Sequence, residues 1–265
     1  LNRLDLASGK ASVIPFRVND TRLVVDPPRP AIPIAPATFN TSIPRGATVS
    51  PDGNQIVFET LGKLWVKPAA GGAARRLTSE TEAMEAYPAW SPDSRRLAFV
   101  RWTDTGLGEV RTVASDGSGA VSVTKAPGHY ARPAFSPDGR TIVFEKQQGG
   151  GLVSPRNSSE PGLYKVAASG GEVTRVLRDG GHPQFGASSD RVFAFVYEGG
   201  KGKLVSTDLN GEARRVHAEG ELVNDYAVSP DGKFFAFRQN YQAFVMPMLP
   251  GTQTLTAQRP VPRCH

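Results

Sequence analysis

The stretch ARPAFSPDGRTIVFEK, residues 131–146, predicts a β-hairpin, and versions of it recur along the chain. A near copy, YPAWSPDSRRLAFVR, begins at Tyr87. The apolar residues just before each hairpin core are spaced 41, 45, 50 and 43 residues apart. Self-similarity at this period is typical of solenoids and propellers. The Ser-Pro-Asp core occurs at Ser50, Ser91, Ser136 and Ser229, and a degenerate version begins at Gln184.

The chemistry of the repeat explains why its core forms a turn. Proline presets φ, aspartate bonds its own downstream backbone, and glycine takes the left-handed conformation that closes the hairpin. The runs QIVFE, RLAFV, TIVFE, RVFAFV and FFAFR follow these cores, and their apolar residues are consecutive. This pattern favours a strand that is covered on both faces. Two further short segments complete each unit, which we interpret as four antiparallel strands.

These units predict an all-β fold, a β-propeller of about six four-stranded blades, because stacked sheets bury both faces of their middle strands. Residues 1–16 match the second half of a repeat, so the prediction is 22 strands, with a first blade that is incomplete. Either the C-terminal strands complete that blade, or the chain is part of a longer propeller. We interpret 1–265 as one domain, with a half blade at 1–16, a proline-rich connector at 17–44, and blades at 45–82, 85–126, 130–178, 181–218 and 222–258.

Composition narrows the classes of function. The chain has 39% hydrophobic and 21% charged residues, which is ordinary for a globular protein. It has no apolar run long enough to span a membrane. The net charge of +6 is spread over all repeats, so we expect no nucleic-acid partner. The single cysteine, Cys264, rules out an internal disulfide.

The motifs of common catalytic sites are missing from the sequence. There is no Gly-x-Ser-x-Gly elbow, no phosphate-binding loop, and no His-x-His or His-Glu-x-x-His pair among four scattered histidines. We interpret the turn aspartates as caps of their own turns and not as calcium ligands. The sequence therefore predicts no catalytic residue, metal or cofactor.

One set of positions suggests a binding site at the mouth of the central channel, because the first strand of each propeller blade lines that channel. The repeats agree at the turn and differ three residues before each register mark, where a binding rim would need variety. Unconstrained solvent-facing positions would vary in the same way, so both interpretations stay open. The candidate residues are Tyr87, Arg132, His182 and Asp225, with Arg45, Tyr130 and Asn224 beside such positions.

The pattern YPAWSPDSRRLAFV, followed by EVRTVASDGSGAVSVT, resembles the TolB-type propeller repeat over nearly the whole chain. The segments LDLASGKASVIPFRV and NDYAVSPDGKFFAF look most like the version found in large bacterial amidohydrolases. In that family the metal ligands lie in a separate barrel domain, which no part of this sequence matches.

The resemblance implies a non-catalytic module that binds a protein or peptide, or gates a substrate, within a larger periplasmic or secreted hydrolase. The alternative is a free-standing TolB-like adaptor. An incomplete ring would also allow an oligomer.

Overall fold

The computed structural model describes residues 1–25, 38–147 and 160–256. The chain divides into two compact units, 1–40 and 41–265. The first unit contains a hairpin whose turn is closed by Asp5 Oδ1, which accepts hydrogen bonds from the backbone N–H groups of Ala7 and Ser8. The middle of the predicted connector, residues 26–37, lies outside the described residues. The strands of this hairpin are β1 (Asn2–Leu4) and β2 (Ala11–Val13).

The second unit begins with three four-stranded antiparallel sheets, each made by one repeat in simple chain order. These are blades one to three. Their strands are β3 (Arg45–Val49), β4 (Gln55–Thr60), β5 (Lys63–Pro68) and β6 (Arg75–Arg76); β7 (Met84–Trp90), β8 (Arg96–Thr103), β9 (Leu107–Ala114) and β10 (Val121–Ser122); and β11 (Tyr130–Phe135), β12 (Thr141–Lys146), β13 (Gly162–Ala167) and β14 (Thr174–Leu177).

The last strand of the fifth repeat belongs to the sheet of blade four and not to that of blade five. The final strand of the fifth repeat pairs in parallel with the last strand of blade four, in the register Ala218 to Gln253. Blade four therefore has five strands and blade five has three. Their strands are β15 (Gly181–Phe185), β16 (Arg191–Glu198), β17 (Lys201–Asp208) and β18 (Arg215–Gly220), with β22 (Gln253–Leu255), and then β19 (Val223–Val228), β20 (Phe234–Gln239) and β21 (Gln242–Pro247).

The propeller class is confirmed, but the expectation of about six blades is wrong, because the structure has five. The 22 predicted strands are all found among the described residues. The error lies in their assignment to blades. Among the described residues, β1 pairs with β2, and β22 extends the sheet of blade four instead of completing a further blade.

Each pair of neighbouring blades encloses its own hydrophobic core. In β8 the consecutive residues Leu97 to Val100 are all buried, because alternate side chains point into the cores on either side. This confirms the interpretation of the apolar runs as strands covered on both faces. The buried rings Phe99, Phe144 and Phe235 stabilise the fold by about 1.5–3 kcal/mol each.

The two end blades expose apolar sheet faces. In blade one Val49 is exposed, and Ile56 and Phe58 are only partly buried, although their counterparts in blade two are buried. In blade five Phe234 and Val245 are exposed, on the face that points away from blade four. Every other inter-blade face is covered by a neighbouring repeat.

Candidate functional site

A β-bulge interrupts the pairing of the first and second strands in every blade, and it lies at the same place in blades one to four. In blades one to four the residue inside the bulge has a left-handed backbone. This conformation costs an L-residue about 1–2 kcal/mol, and such outliers are frequent at functional sites. The residues are Gly46 (φ 56°), Tyr87 (56°), Arg132 (48°) and His182 (52°), and the last three were predicted from the sequence as site residues.

The bulge residues of blades two to four are linked to blade five through one glutamate. The guanidinium carbon of Arg132 lies 5.5 Å from the centroid of the Tyr87 ring, and Arg132 Nη1 donates to Glu145 Oε2 at 3.0 Å. Glu145 Oε2 also accepts from the backbone N–H of His182 at 3.3 Å. His182 Nδ1 then lies 2.9 Å from Asp225 Oδ1. These five residues form a continuous cross-blade polar chain.

The polar chain is partly exposed to solvent. The side chain of Arg132 is 35% exposed, whereas that of Glu145 is 14% exposed. The hydrogen bond from His182 holds the pKa of Asp225 below its usual value, although burial opposes this shift. Asp225 therefore carries a negative charge at neutral pH. At the other end of the polar chain, the partly exposed guanidinium of Arg132 pairs with Glu145.

A cavity of about 380 Å³ lies beside this chain, among blades one to three. Aromatic rings of Tyr87, Trp102, His129 and Tyr130 form part of its wall. Burial raises the pKa of Tyr130, and its hydroxyl donates to the backbone carbonyl of Ala126 at 2.8 Å. Cavities of this volume are common small-ligand sites.

Six of the seven predicted residues therefore fall into two connected sets. Tyr87, Arg132, His182 and Asp225 belong to the polar chain, and Arg45, Tyr87 and Tyr130 line the cavity. Tyr87 belongs to both sets. Asn224 belongs to neither, because its side-chain oxygen accepts a hydrogen bond from Arg238 at 2.8 Å.

Glu145 and its counterpart Glu59 were not predicted from the sequence, although both line the same end of the blades. These glutamates lie on the second strand of their repeats, whereas the predicted residues lie on the first. The signal was present in the repeated letters IVFE, at residues 56–59 and 142–145.

The turn aspartates at the opposite end are used as predicted. Asp52 accepts from the Ser50 hydroxyl at 2.5 Å and from the Asn54 N–H at 3.0 Å, and the same contacts recur at Asp93, Asp138 and Asp231. Among the described residues no cluster of histidine, cysteine and carboxylate side chains could hold a metal ion. No helix in this part of the chain is long and apolar enough to cross a membrane.

Solved structures share this fold at low sequence identity. TolB from Acinetobacter baumannii matches with a TM-score of 0.61 and 16% identity over 78% of this chain and 52% of its own. A putative TolB from Agrobacterium tumefaciens gives 0.56 and 19%, over 80% and 78%. An oligogalacturonate lyase from Vibrio parahaemolyticus gives 0.59 and 10%, over 77% and 62%. This chain thus spans only about half to two thirds of the first and third of these proteins.

No curated protein matches the sequence. The sequence profile of the TolB beta propeller domain, however, matches residues 46–249, which contain part of every blade and all of strands β4 to β21. The repeated Ser-Pro-Asp hairpins, the five antiparallel blades and this match over most of the chain agree. The chain therefore belongs to the TolB beta propeller domain family.

Proposed function

We propose that this propeller is a non-catalytic binding module, and that the polar chain of blades two to five binds a protein or peptide partner. The observation that carries the proposal is the convergence of Tyr87, Arg132, His182 and Asp225 from four blades through Glu145. Three of these residues are held in an unfavourable left-handed backbone, and such strain is common where the geometry of a site is used.

The part of the ligand that fits best is a carboxylate, such as a peptide C-terminus or an acidic side chain. Arg132 uses Nη1 for Glu145, and its remaining nitrogens make no hydrogen bond to any described residue. A guanidinium edge held in place by an ion pair and an aromatic ring is already oriented for a forked contact. Orientation before binding lowers the entropy cost of that contact.

The groups that could suggest catalysis are engaged in structural contacts. Ser206 Oγ lies 2.7 Å from His217 Nε2, which is the distance expected for an activated nucleophile. Ser206 is fully buried, however, and its hydroxyl also accepts from Arg191 Nη1 at 2.9 Å. A substrate could not reach this hydroxyl without opening the sheet of blade four.

For the whole protein we propose a propeller that serves a larger amidohydrolase-type hydrolase as a binding or substrate-gating module, in the periplasm or outside the cell. The segments LDLASGKASVIPFRV and NDYAVSPDGKFFAF support this context. The second candidate is a TolB-like adaptor, which the similarity to two TolB structures favours. The genomic sequence beyond His265 separates the two, because an amidohydrolase barrel with its His-x-His motif would have to follow.

Binding of short peptides to the purified chain tests the proposal. A library of N-acetylated tetrapeptides is compared with free and with amidated C-termini by isothermal calorimetry. We expect binding that requires the free carboxylate and that Arg132→Ala weakens about ten- to a hundred-fold, since a charged hydrogen bond contributes about 1.5–3 kcal/mol.

Arg140→Ala is the matched control, because Arg140 is an exposed arginine next to the hairpin turn at the opposite end of blade three. It should leave affinity unchanged. Equal losses in both variants, or binding without regard to the carboxylate, would remove Arg132 from the site. Hydrolysis of amides by the chain alone would contradict a non-catalytic role.

A further inference from the structure

The internal repeat allows a direct comparison of two glutamates, Glu59 in blade one and Glu145 in blade three. Each lies on the second strand directly after the repeated phenylalanine, opposite Arg45 and Ala131 respectively. In both blades the first strand has a bulge directly after the residue that lies opposite the glutamate. The two blades differ inside that bulge, where blade three has Arg132 and blade one has Gly46.

Glu145 is fully paired within the protein. It accepts hydrogen bonds from Arg132 Nη1 at 3.0 Å, from the His182 backbone at 3.3 Å and from Gln147 Nε2 at 3.0 Å. The carboxylate of Glu59 is only partly buried, and no described residue donates a hydrogen bond to it or forms an ion pair with it. Gly46 supplies no side chain where blade three supplies a guanidinium.

The space beside Glu59 and Gly46 is the cavity of about 380 Å³. The ring of Tyr87, on which Arg132 stacks in the neighbouring blade, also lines this cavity, together with Trp102. An unpaired carboxylate next to aromatic faces is the environment that cations prefer, because ring faces attract positive charge. A planar guanidinium also matches a carboxylate with two parallel hydrogen bonds.

The charge at the cavity mouth helps to choose between ligands. Arg45 lines the cavity too, but it is exposed, whereas Glu59 is partly buried. The more enclosed charge is therefore negative. A carboxylate ligand would have to reach Arg45 while avoiding Glu59 on the neighbouring strand.

We propose that this cavity binds a guanidinium group, as carried by an arginine side chain of the peptide partner, with Glu59 as its counterion and Tyr87 and Trp102 as stacking surfaces. The ligand cation then takes the place that Arg132 occupies in blade three. This inference rests on the proposed function for the identity of the partner as a peptide. It concerns a different charge, a different blade and a different part of the ligand.

Trp102 provides a fluorescence signal for the test, because its indole lines the cavity. The probe is N-acetyl-arginine amide, and the matched control is N-acetyl-citrulline amide, which has the same shape without the charge. We expect saturable binding of the arginine compound, with the citrulline compound and the Glu59→Gln variant each at least about ten-fold weaker. Arg45→Gln should bind the arginine compound as well as the wild type or more tightly, because a like charge is removed.

Gly46→Arg gives an independent test that fills the cavity from within. A Cβ at Gly46 would lie 3.7 Å from Pro88 Cδ, an ordinary contact, and Arg132 tolerates the same backbone conformation. The variant should fold, pair with Glu59 and lose the binding of the arginine compound.

Three results would overturn the inference. The first two are equal binding of the arginine and citrulline compounds, and unchanged affinity in Glu59→Gln. The third is Arg45-dependent binding of N-acetyl-glutamate amide instead of the arginine compound. None of these results depends on Arg132, so the inference and the proposed function can fail separately.

Discussion

Replacement of Glu145 by glutamine should destabilise the propeller, whereas the same replacement at Glu59 should not. Glutamine keeps the shape of the side chain but turns one carboxylate oxygen into an N–H donor. Glu145 Oε1 accepts from Gln147, and Oε2 accepts from Arg132 and from the His182 backbone. The new N–H donor of glutamine would therefore face another donor in either orientation of the side chain.

The size of the effect follows from these three bonds. A neutral hydrogen bond contributes about 0.5–1.5 kcal/mol and one to a charged group about 1.5–3 kcal/mol. The Arg132 contribution is at the lower end, because this side chain is 35% exposed and solvent screens the pair. We expect a loss of about 2 kcal/mol for Glu145→Gln, which in a chain of this size lowers Tm by about 4–8 °C.

Glu59→Gln is the matched control, since it changes the same register position of another blade. Glu59 has no hydrogen-bond partner among the described residues, so the free energy of unfolding should change by less than about 0.5 kcal/mol. Urea unfolding monitored by circular dichroism measures both variants. Equal effects of the two substitutions, or a neutral Glu145→Gln, would refute the assignment of Glu145 as the centre of the polar chain.

Three further predictions concern other parts of the propeller. Burial lowers the pKa of His217 below its usual 6.5, so as the pH falls the unfolded chain is protonated at this histidine before the folded chain is. Stability should therefore fall as the pH drops below about 6.5. The slope of unfolding free energy against pH should flatten in His217→Asn. Gly108→Ala should lower the free energy of unfolding in urea by about 1–3 kcal/mol, because the new Cβ would lie 2.3 Å from the Gly128 carbonyl oxygen. Gly199→Ala is the control, since its Cβ would meet nothing within 4 Å. It should cost about 1–2 kcal/mol for the left-handed backbone alone. Addition of EDTA or of Ca²⁺ should leave Tm unchanged in thermal melts, because the turn aspartates already accept bonds from serine hydroxyls and backbone N–H groups; a Ca²⁺-dependent rise in Tm would assign those carboxylates to a metal.

The turns and the middle strands could be predicted from sequence because their causes are local. The Ser50 to Asn54 contacts require only residues within one turn, and the consecutive apolar residues Leu97 to Val100 require only that both faces be covered. The number of blades depends on longer-range pairing. Nothing in the sequence of β22 indicates that this strand pairs with β18 instead of completing the sheet of its own repeat.

The candidate site was predicted only in part, because some of its contacts are local and others join residues far apart in the sequence. The bulge positions stood out because their residues vary between repeats, and the structure places Tyr87, Arg132, His182 and Asp225 in one polar chain. The left-handed backbone of three of them was not predictable, since none is glycine. The linking glutamate was missed because Glu145 contacts His182 across 37 residues of sequence.

The central claim is that this end of the inner strands binds a partner, and an amide NMR titration tests it most directly. The chain is titrated with the tetrapeptide that binds best in the carboxylate screen. We expect the shifted amides to cluster at Tyr87, Arg132, His182 and Asp225, and we expect Arg132→Ala to require a peptide concentration about ten- to a hundred-fold higher for the same shifts. Shifts centred on the Ser-Pro-Asp turns at the opposite end, or an unchanged titration curve in Arg132→Ala, would contradict the claim.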